Sequence, residues 1–278
     1  KTRKNRMGYS IFQNTMVDMT YPQIEEEIKK GACALLPISV VEEHGPHLCT
    51  GTDIYLTQAV CVKIKQQLNA MGKPVIIAPS FYWGINSITD SFVGSFTISA
   101  ETMEALLLDI LANLKKWGIH KIFMLNFHGD YVHIRKIAEI AKKAYIERKT
   151  EAYFINSKST FMQFGITEEV PYLLNVPLNQ NLLSSMGGDS IDIHAGAAET
   201  SWMMLDYEEL ADPDIAKQLK ATNLSMDDLR IWLHGGNSAK EITPSGYCGN
   251  PANIDLDAIQ RIEKETSEAF ASYIYKVL

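Results

Sequence analysis

Short apolar runs alternate with longer segments of helical spacing along this chain, and this alternation restricts the fold more than any other feature. Four runs are expected to be buried strands: 33–40, 74–79, 121–126 and 151–155. Four segments repeat apolar residues at the spacing of a helix face: 53–69, 100–117, 131–148 and 255–278. Strands that alternate with helices are typical of layered α/β folds. Since no repeat or linker interrupts the pattern, we predict one α/β domain over residues 1–278.

Composition limits the functions that such a domain can have. The 33 acidic residues outnumber the 26 basic residues, for a net charge of −7, which argues against a nucleic-acid partner. No run of about 18 apolar residues exists, so we expect no membrane partner. None of the 4 cysteines forms a C-x-x-C pair, which predicts free thiols and a cytoplasmic location.

Carboxylates and imidazoles directly follow two of the predicted strands. Glu42 and His44 come after the first strand, Asp53 begins the next helix, and His128 and Asp130 come after the third strand. One such cluster is usually a solvated loop, but two in the same position are not expected by chance. Ligand sites of open α/β sheets lie at the carboxyl ends of the strands, so parallel pairing would bring both clusters to one edge. Oxygen and nitrogen donors without sulfur suit Zn, Mn or Fe, and we predict a metal site there.

A third polar cluster contains Asp192, His194 and Glu199. Gly196, close to the histidine, permits the backbone to approach a ligand. A loop histidine paired with Asp192 explains the same residues without any function, and the cluster taken alone favours that interpretation. Asp192 is retained as a candidate for substrate contact.

The segment 81–96 is rich in glycine and polar residues and is expected to be a long loop. Its aromatic residues could form the wall of a substrate pocket near the sheet edge, although core packing explains them equally well. Trp83, Asn86 and Ser87 are our candidate substrate contacts in this loop.

These polar clusters resemble the motifs of a known family. Residues 42–53 read E-E-H-G-P-H-L-C-T-G-T-D, similar to the signature E-x-H-G-P-H-L-x-x-G-T-D of the creatininase (creatinine amidohydrolase) family. Residues 126–129, N-F-H-G, resemble its motif N-x-H-G, and residues 194–201, H-A-G-A-A-E-T-S, resemble H-A-G-x-x-E-T-S. Residues 246–251, G-Y-C-G-N-P, are weakly similar to a later G-x-x-G-D-P element. The motifs occur in the family's order across most of the chain.

The resemblance implies a three-layer α-β-α sandwich with a mostly parallel central sheet and a site for two divalent metal ions. By position in the motifs, Glu42 and His128 would bind one ion and His44 would bind the other. Asp53 would bridge the two ions.

The resemblance also implies roles for the remaining polar residues. Asp130 stands where creatinine-hydrolysing members carry a longer carboxylate, and Glu199 is the alternative ligand of the second ion. His194 would face the substrate as a proton shuttle, and Glu43 would orient its neighbours from outside the ligand set. A homo-oligomer, commonly a hexamer, is implied as well.

The residues implied for creatinine recognition are not kept. Ser190, Ile191 and Ile193 occupy the places of a tryptophan, an aspartate and a glutamate ahead of the third motif's histidine. Gly129 replaces an aromatic residue of the second motif. The resemblance therefore implies a member that is not specific for creatinine.

Three hypotheses about function follow. In the first, a hydroxide that bridges two metal ions attacks the carbonyl of a small cyclic amide or formamide and a C–N bond is hydrolysed. In the second, the same site opens a carbocyclic ketone at a C–C bond. In the third, the protein is a non-catalytic, oligomeric metal-binding protein, which the retention of His194 beside the ligand pairs disfavours.

Overall fold

The computed structural model describes residues 9–178 and 185–278. The strands are β1 (Cys33–Ile38), β2 (Val75–Ile77), β3 (Lys121–Asn126), β4 (Glu151–Ser157) and β5 (Leu173–Val176). The helices are α1 (Tyr21–Lys29), α2 (Thr52–Ala70), α3 (Ala100–Lys116), α4 (Tyr131–Ile146), α5 (Lys158–Gln163), α6 (Ala197–Asp206), α7 (Pro213–Ala216), α8 (Met226–Trp232), α9 (Gly236–Ile242) and α10 (Leu256–Val277). Single 3₁₀ turns lie at Met16–Asp18 and Glu208–Leu210.

The strands form one sheet in the order β2-β1-β3-β4-β5, and every pairing between them is parallel. β1 lies directly beside β3, and Ile38 is paired with Asn126 at the carboxyl end of both strands. Helices pack on both faces of the sheet. The predicted three-layer sandwich with a parallel central sheet is confirmed.

Side chains of β1 alternate between the two faces of the sheet, as the two-residue period of a strand requires. Ala34, Leu36 and Ile38 pack with α1, α3 and α4 on one face. Cys33 and Leu35 pack with α2, α6 and α10 on the other face. Because both faces are covered, all of these residues are buried and the strand reads as a continuous apolar run.

The capping residues of three helices determine which polar side chains near the sheet edge are used to begin a helix. Ser99 accepts a hydrogen bond from the Thr102 N–H and begins α3. Asp130 accepts one from the His133 N–H and begins α4, so one of its oxygens is engaged in capping. Gly51 begins α2 without a side-chain cap, and Asp53 in its first turn caps nothing.

One region differs from the sequence-based expectation, and in a second region the structure decides between two expected alternatives. The sequence predicts an irregular segment over 161–190, but the segment contains the end of α5 and the whole of β5, while its residues 179–184 lie outside the described part of the chain. β5 has only 4 residues and two of them are half-buried, so it lacks a recognisable strand pattern. Residues 200–206, which could have been strand or helix, belong to α6.

No helix within residues 9–178 and 185–278 combines the length and the apolar content that a bilayer crossing requires.

The core packing of β4 is open to a direct test. Phe154 is fully buried and its ring lies 5.1 Å from the ring of Phe161 in an edge-on arrangement. Phe154→Ala should lower the free energy of unfolding by about 3–5 kcal/mol, since it removes buried surface and leaves a cavity. Urea unfolding measures this change. Met162→Ala is the control, because Met162 in α5 is 60% exposed and its truncation should cost less than about 0.5 kcal/mol. Equal losses in the two variants would contradict the assigned packing.

Candidate metal centre

Polar side chains meet at the carboxyl edge of the sheet because β1 and β3 are neighbours. Glu42 and His44 lie in the loop that follows β1, and His128 lies in the loop that follows β3. The loop after β1 leads into the first turn of α2, which carries Asp53. All four side chains are at most 4% exposed. Polar groups this deeply buried need strong partners.

Three overlapping sets of side chains could each hold a metal ion, since one ligand atom of every member lies within 4.8 Å of the others. The sets are Glu42–Asp53–His128, His44–Asp53–Glu199 and Glu42–His44–His194. Asp53 belongs to two of them through different oxygens. Its Oδ2 lies 3.0 Å from His128 Nδ1, and its Oδ1 lies 3.3 Å from His44 Nε2. A carboxylate with one oxygen directed to each side is suited to bridging two ions.

Backbone carbonyls determine which ring nitrogen of each histidine faces the site. His44 Nδ1 lies 3.2 Å from the Glu42 carbonyl oxygen, and His128 Nε2 lies 3.1 Å from the Ile85 carbonyl oxygen. A carbonyl only accepts, so these two nitrogens carry the hydrogens. His44 Nε2 and His128 Nδ1 are therefore the nitrogens with lone pairs toward Asp53. This is the usual way in which proteins orient histidine ligands.

Three buried atoms at the centre have no hydrogen-bond partner among the described residues: His44 Nε2, His128 Nδ1 and Asp53 Oδ2. Buried polar atoms are rarely left in this state, because each costs about 1–3 kcal/mol. All three are donor atoms of the overlapping sets. The site therefore fits divalent cations, which would satisfy all three atoms together.

The electrostatics of the centre lead to the same conclusion. Burial lowers the pKa of His44 and of His128, but the neighbouring carboxylates outweigh burial and raise both pKa values well above 6.5. Burial similarly raises the pKa of Asp53, and the two imidazoles outweigh it and lower that pKa well below 3.8. The carboxylates thus demand positive charge, which imidazole protons or bound cations can supply.

Glu42 is held by hydrogen bonds that leave one oxygen for the centre. Its Oε2 accepts from Asn86 Nδ2 at 3.0 Å and from Thr89 Oγ1 at 2.6 Å. Its Oε1 lies 2.9 Å from His128 Nδ1. Asn86 thus orients a candidate metal ligand, and its expected contact with substrate stays a prediction. The sequence analysis missed Thr89, because a lone threonine in a polar loop carries no pattern.

Asp130 is engaged elsewhere and belongs to none of the three sets. Its Oδ1 accepts from the His133 N–H at 2.9 Å, and its Oδ2 accepts from the N–H and the hydroxyl of Ser87 at 2.8 and 2.5 Å. Glu199 in α6 has its Oε2 at 3.7 Å from His44 Nε2. Burial raises the pKa of Glu199, and the nearby charge of Asp53 raises it further. Of the two alternatives for the second ion, the geometry favours Glu199, since both oxygens of Asp130 are already bonded.

His194 belongs to the third of these sets and is held by Glu43. Its Nε2 is 2.9 Å from the Glu43 carbonyl oxygen and 3.2 Å from Glu43 Oε1, so this nitrogen carries the hydrogen. The other nitrogen, Nδ1, lies 3.9 Å from Glu42 Oε1. Backbone hydrogen bonds between His194 and Cys248 fix the segment. The contacts are those expected of a proton-carrying histidine that Glu43 positions.

The position of Glu43 requires a glycine in the loop after α9. Gly246 has a φ of +73°, and a Cβ there would lie 1.9 Å from Glu43 Oε2. That same oxygen accepts a hydrogen bond from the Gly45 N–H at 2.9 Å. A side chain at position 246 would thus displace the carboxylate that holds His194.

The other expected substrate contacts lie away from the cavity. Trp83 is 41% exposed and packs edge-on against Phe96 at 5.5 Å. Ser87 bonds to Asp130, as described above. Asp192 accepts from the Ala197 N–H at the start of α6 and from the Asn250 N–H. Asp192 therefore ties two segments together, and its expected contact with substrate stays a prediction.

A cavity of about 310 Å³ opens over the metal ligands. Glu42, Asp53, His128, His194 and Glu199 line its floor. Its walls come from β4, α5, α10, the end of α8 and the loop between β2 and α3, and include Asn156, Ser157, Thr160, Gln163, Thr266, Ile88, Trp232 and Leu233. The sequence analysis did not identify the wall residues, since apolar residues on a short helix indicate core packing as readily as a pocket.

The fold and the centre together define the class of the protein as a metal-dependent hydrolase with a parallel α/β sheet. A family model, creatininase (creatinine amidohydrolase), matches residues 17–274. Because the match covers most of the sequence, the chain belongs to the creatininase family. The family resemblance seen in the motifs is thereby confirmed.

Three curated relatives illustrate the range of the family. The chain is 26% identical over 214 residues to creatinine amidohydrolase of Pseudomonas putida, which covers 75% of this chain and 76% of the relative. It is 30% identical to the mycofactocin precursor peptide peptidase of Mycobacterium ulcerans over 86% and 83% of the two chains. It is 23% identical to the 3-dehydro-scyllo-inosose hydrolase of Thermotoga maritima over 94% and 81% of the two chains. The named substrates of these relatives differ widely.

Solved creatininase structures have the same fold. The crystal structure of creatinine amidohydrolase (creatininase) superimposes with a TM-score of 0.70 at 18% identity, over 95% of this chain and 97% of the other. The structure described as creatininase Mn gives a TM-score of 0.70 at 18% identity over 95% and 98% of the chains.

The choice between Glu199 and Asp130 can be tested by metal analysis. Glu199→Gln should lower the zinc content of the reconstituted protein from about two ions to about one per chain, because one anionic donor is lost. Asp130→Asn is the matched acid-to-amide control and should keep both ions, because Asp130 belongs to none of the three sets; the variant keeps the bond from the His133 N–H and gives up the one from the Ser87 N–H. Elemental analysis after dialysis measures both variants. Loss of zinc from Asp130→Asn alone would contradict the assignment.

Proposed function

We propose that this protein is a metal-dependent amidohydrolase that cleaves the C–N bond of a cyclic amide or formamide-type small molecule. The observation that carries the proposal is that Asp53 is shared by two ligand sets, while His194, a member of the third set, is held by Glu43 at the floor of a cavity. A shared carboxylate with a neighbouring proton carrier is what hydrolysis at a two-metal centre requires.

The ligand assignment follows the overlapping sets. Glu42, Asp53 and His128 would hold one divalent ion, and His44, Asp53 and Glu199 would hold the other. Zn, Mn or Fe suits these oxygen and nitrogen donors, and solved relatives are described as Mn and Zn-Zn forms. When bound, such ions supply an activated water and polarise the substrate carbonyl.

His194 is the residue that we assign to proton transfer. Its Nε2–H is bonded to Glu43, so Nδ1 is the atom that can take up a proton and deliver it to the departing nitrogen. Glu43 keeps the ring oriented and stabilises its charged form. An amide nitrogen is a poor leaving group unless it is protonated, which makes this residue important for C–N cleavage.

A second candidate is the opening of a carbocyclic ketone at a C–C bond. It is supported by the similarity to a hydrolase named for an inosose, a polyhydroxylated cyclic ketone, over 94% of this chain. The departing carbon would also need a proton, which His194 could deliver. Ile193 and Trp232 line the cavity next to His194 and offer few partners for ring hydroxyls, and we therefore rank C–N cleavage first.

The proposal extends to location and assembly. We propose a cytoplasmic homo-oligomer, with a hexamer as the expected form, on the family resemblance and on the free state of all 4 cysteines. Light scattering of the purified protein measures its mass in solution.

A substrate panel tests the proposed reaction. We expect the zinc- or manganese-loaded protein to hydrolyse a lactam or a formamide and to release an amine, and to leave cyclic ketones unchanged. His194→Asn should lower kcat by roughly 10²–10⁴-fold, because proton transfer is lost, while the metal content stays the same. Turnover of ketones alone would replace the first candidate by the second. Full activity in His194→Asn would contradict the assigned proton carrier.

The role of Glu43 is tested through glycines of similar conformation. Gly246→Ala should lower turnover at least about tenfold, because its Cβ would displace the Glu43 carboxylate from His194. Gly72→Ala is the control: Gly72 has a φ of +75° but no atom within 4 Å of the added Cβ. Both variants should lose about 1–2 kcal/mol of stability from backbone strain. Equal activity in the two variants would show that Glu43 does not position His194.

A further inference from the structure

One wall of the cavity beside His194 is apolar. Trp232 is 4% exposed, and its ring centre lies 6.1 Å from that of His194. The indole N–H donates to Thr243 Oγ1 at 2.9 Å, so the only polar atom of this side chain is already bonded. Ile88, Ile193 and Leu233 line the cavity with Trp232. We refer to these four residues as the apolar wall.

The apolar wall is attached to the loop that orients the metal ligand Glu42. The Gly236 N–H, at the start of α9, donates to the Ile88 carbonyl oxygen at 3.0 Å. The neighbouring Gly235 has a φ of +74°, and a Cβ there would lie 1.9 Å from the Ser87 carbonyl oxygen. Backbone-to-backbone contact this close fixes the end of α8 relative to the ligand sets. The wall thus stands at a defined position beside the centre.

The apolar surface continues out of the cavity. Ile193 and Leu233 are 44% and 55% exposed, and Ile231 beside them is 45% exposed. Exposed apolar groups that adjoin a pocket often contact a ligand. Elsewhere the lining mixes polar side chains, such as Asn156, Ser157 and Gln163, with further apolar ones such as Phe164. The cavity therefore also offers hydrogen-bonding groups to a ligand.

Among the described residues, no lysine or arginine lines the cavity. The charged groups of the lining other than histidines are carboxylates: Glu42, Asp53, Glu199 and Glu265. An anionic substituent next to the apolar wall would lose its hydration without gaining a cationic side chain.

We propose that the apolar wall is the specificity-determining element of the site. Within the proposed substrate class it selects a cyclic amide whose acyl side carries an uncharged alkyl or aryl substituent, and not a formamide, which has no such substituent. This inference rests on the proposed function, because the scissile carbonyl must lie at the metal centre. The carbonyl then faces the ligand sets while the substituent packs against Trp232 and Leu233. Asn156, Ser157 and Gln163 remain available to the amide itself.

Hydroxamic acids test the inference by binding rather than by turnover, because they chelate metal ions and can carry any side group. Acetohydroxamic, benzohydroxamic and 4-carboxybenzohydroxamic acids are titrated into the zinc-loaded protein by calorimetry. Benzohydroxamic acid should bind at least about tenfold more tightly than acetohydroxamic acid, because the phenyl group buries more apolar surface. The carboxylated compound should lose most of that gain.

Variants of leucine link the preference to the wall. Leu233→Lys should reverse the order, weakening benzohydroxamic acid and strengthening 4-carboxybenzohydroxamic acid at least about fivefold each. Leu106→Lys is the matched control, since Leu106 in α3 is 42% exposed and does not line the cavity, and it should change neither affinity.

The outcomes separate the inference from the proposed function. If no hydroxamate binds the zinc-loaded protein, the proposed metal centre is wrong and the inference falls with it. If all three compounds bind with equal affinity, or if Leu106→Lys and Leu233→Lys behave alike, the centre stands and the apolar wall does not determine specificity. Tight binding of benzohydroxamic acid with reversal only in Leu233→Lys supports the inference.

Discussion

The parallel pairing of β1 with β3 is the constraint on which the centre depends. It sets Ile38 beside Asn126, so the loops that follow these strands must leave the sheet at the same edge. Glu42 and His128 then come within 2.9 Å, although they are distant in sequence. The apolar packing of both sheet faces holds this pairing in place. The position of the ligands is thus a consequence of the core.

The deep burial of these polar side chains indicates that the arrangement binds cations. Carboxylates and imidazoles with at most 4% exposure could be stabilised by pairing with one another alone, but His44 Nε2, His128 Nδ1 and Asp53 Oδ2 remain without hydrogen bonds in the described structure. Around them, carbonyl groups, Asn86 and Thr89 fix the orientation of the ligands. A site so oriented, with three unsatisfied polar atoms at its centre, is organised to receive cations.

The candidate ligands and the apolar wall draw on partly different elements of the fold. The candidate ligands lie in loops at the carboxyl edge of the sheet and in the first turns of α2 and α6. Two residues of the apolar wall, Trp232 and Leu233, lie at the end of α8, which contributes no candidate ligand. The relatives share the family while their names give creatinine, a peptide and an inosose as substrates.

Local patterns in the sequence determined the class of fold and the central ligands. Continuous apolar runs predicted β1 and β3 because both faces of the sheet are covered, and Glu42, His44, Asp53 and His128 stood out because they follow strand ends. Such features are visible in the sequence because burial and strand direction act on neighbouring residues.

Only the tertiary structure decided the roles of residues that depend on distant partners. Asp130 looked like a ligand, but its oxygens bond to Ser87 and the first turn of α4, while Glu199 reaches His44 from α6. The apolar wall had no signal at all, since Trp232 on a short helix is indistinguishable from a core residue until the cavity beside it is seen. Sequence patterns report which groups are polar or buried, whereas the identity of a contact is set by packing between segments far apart in the chain.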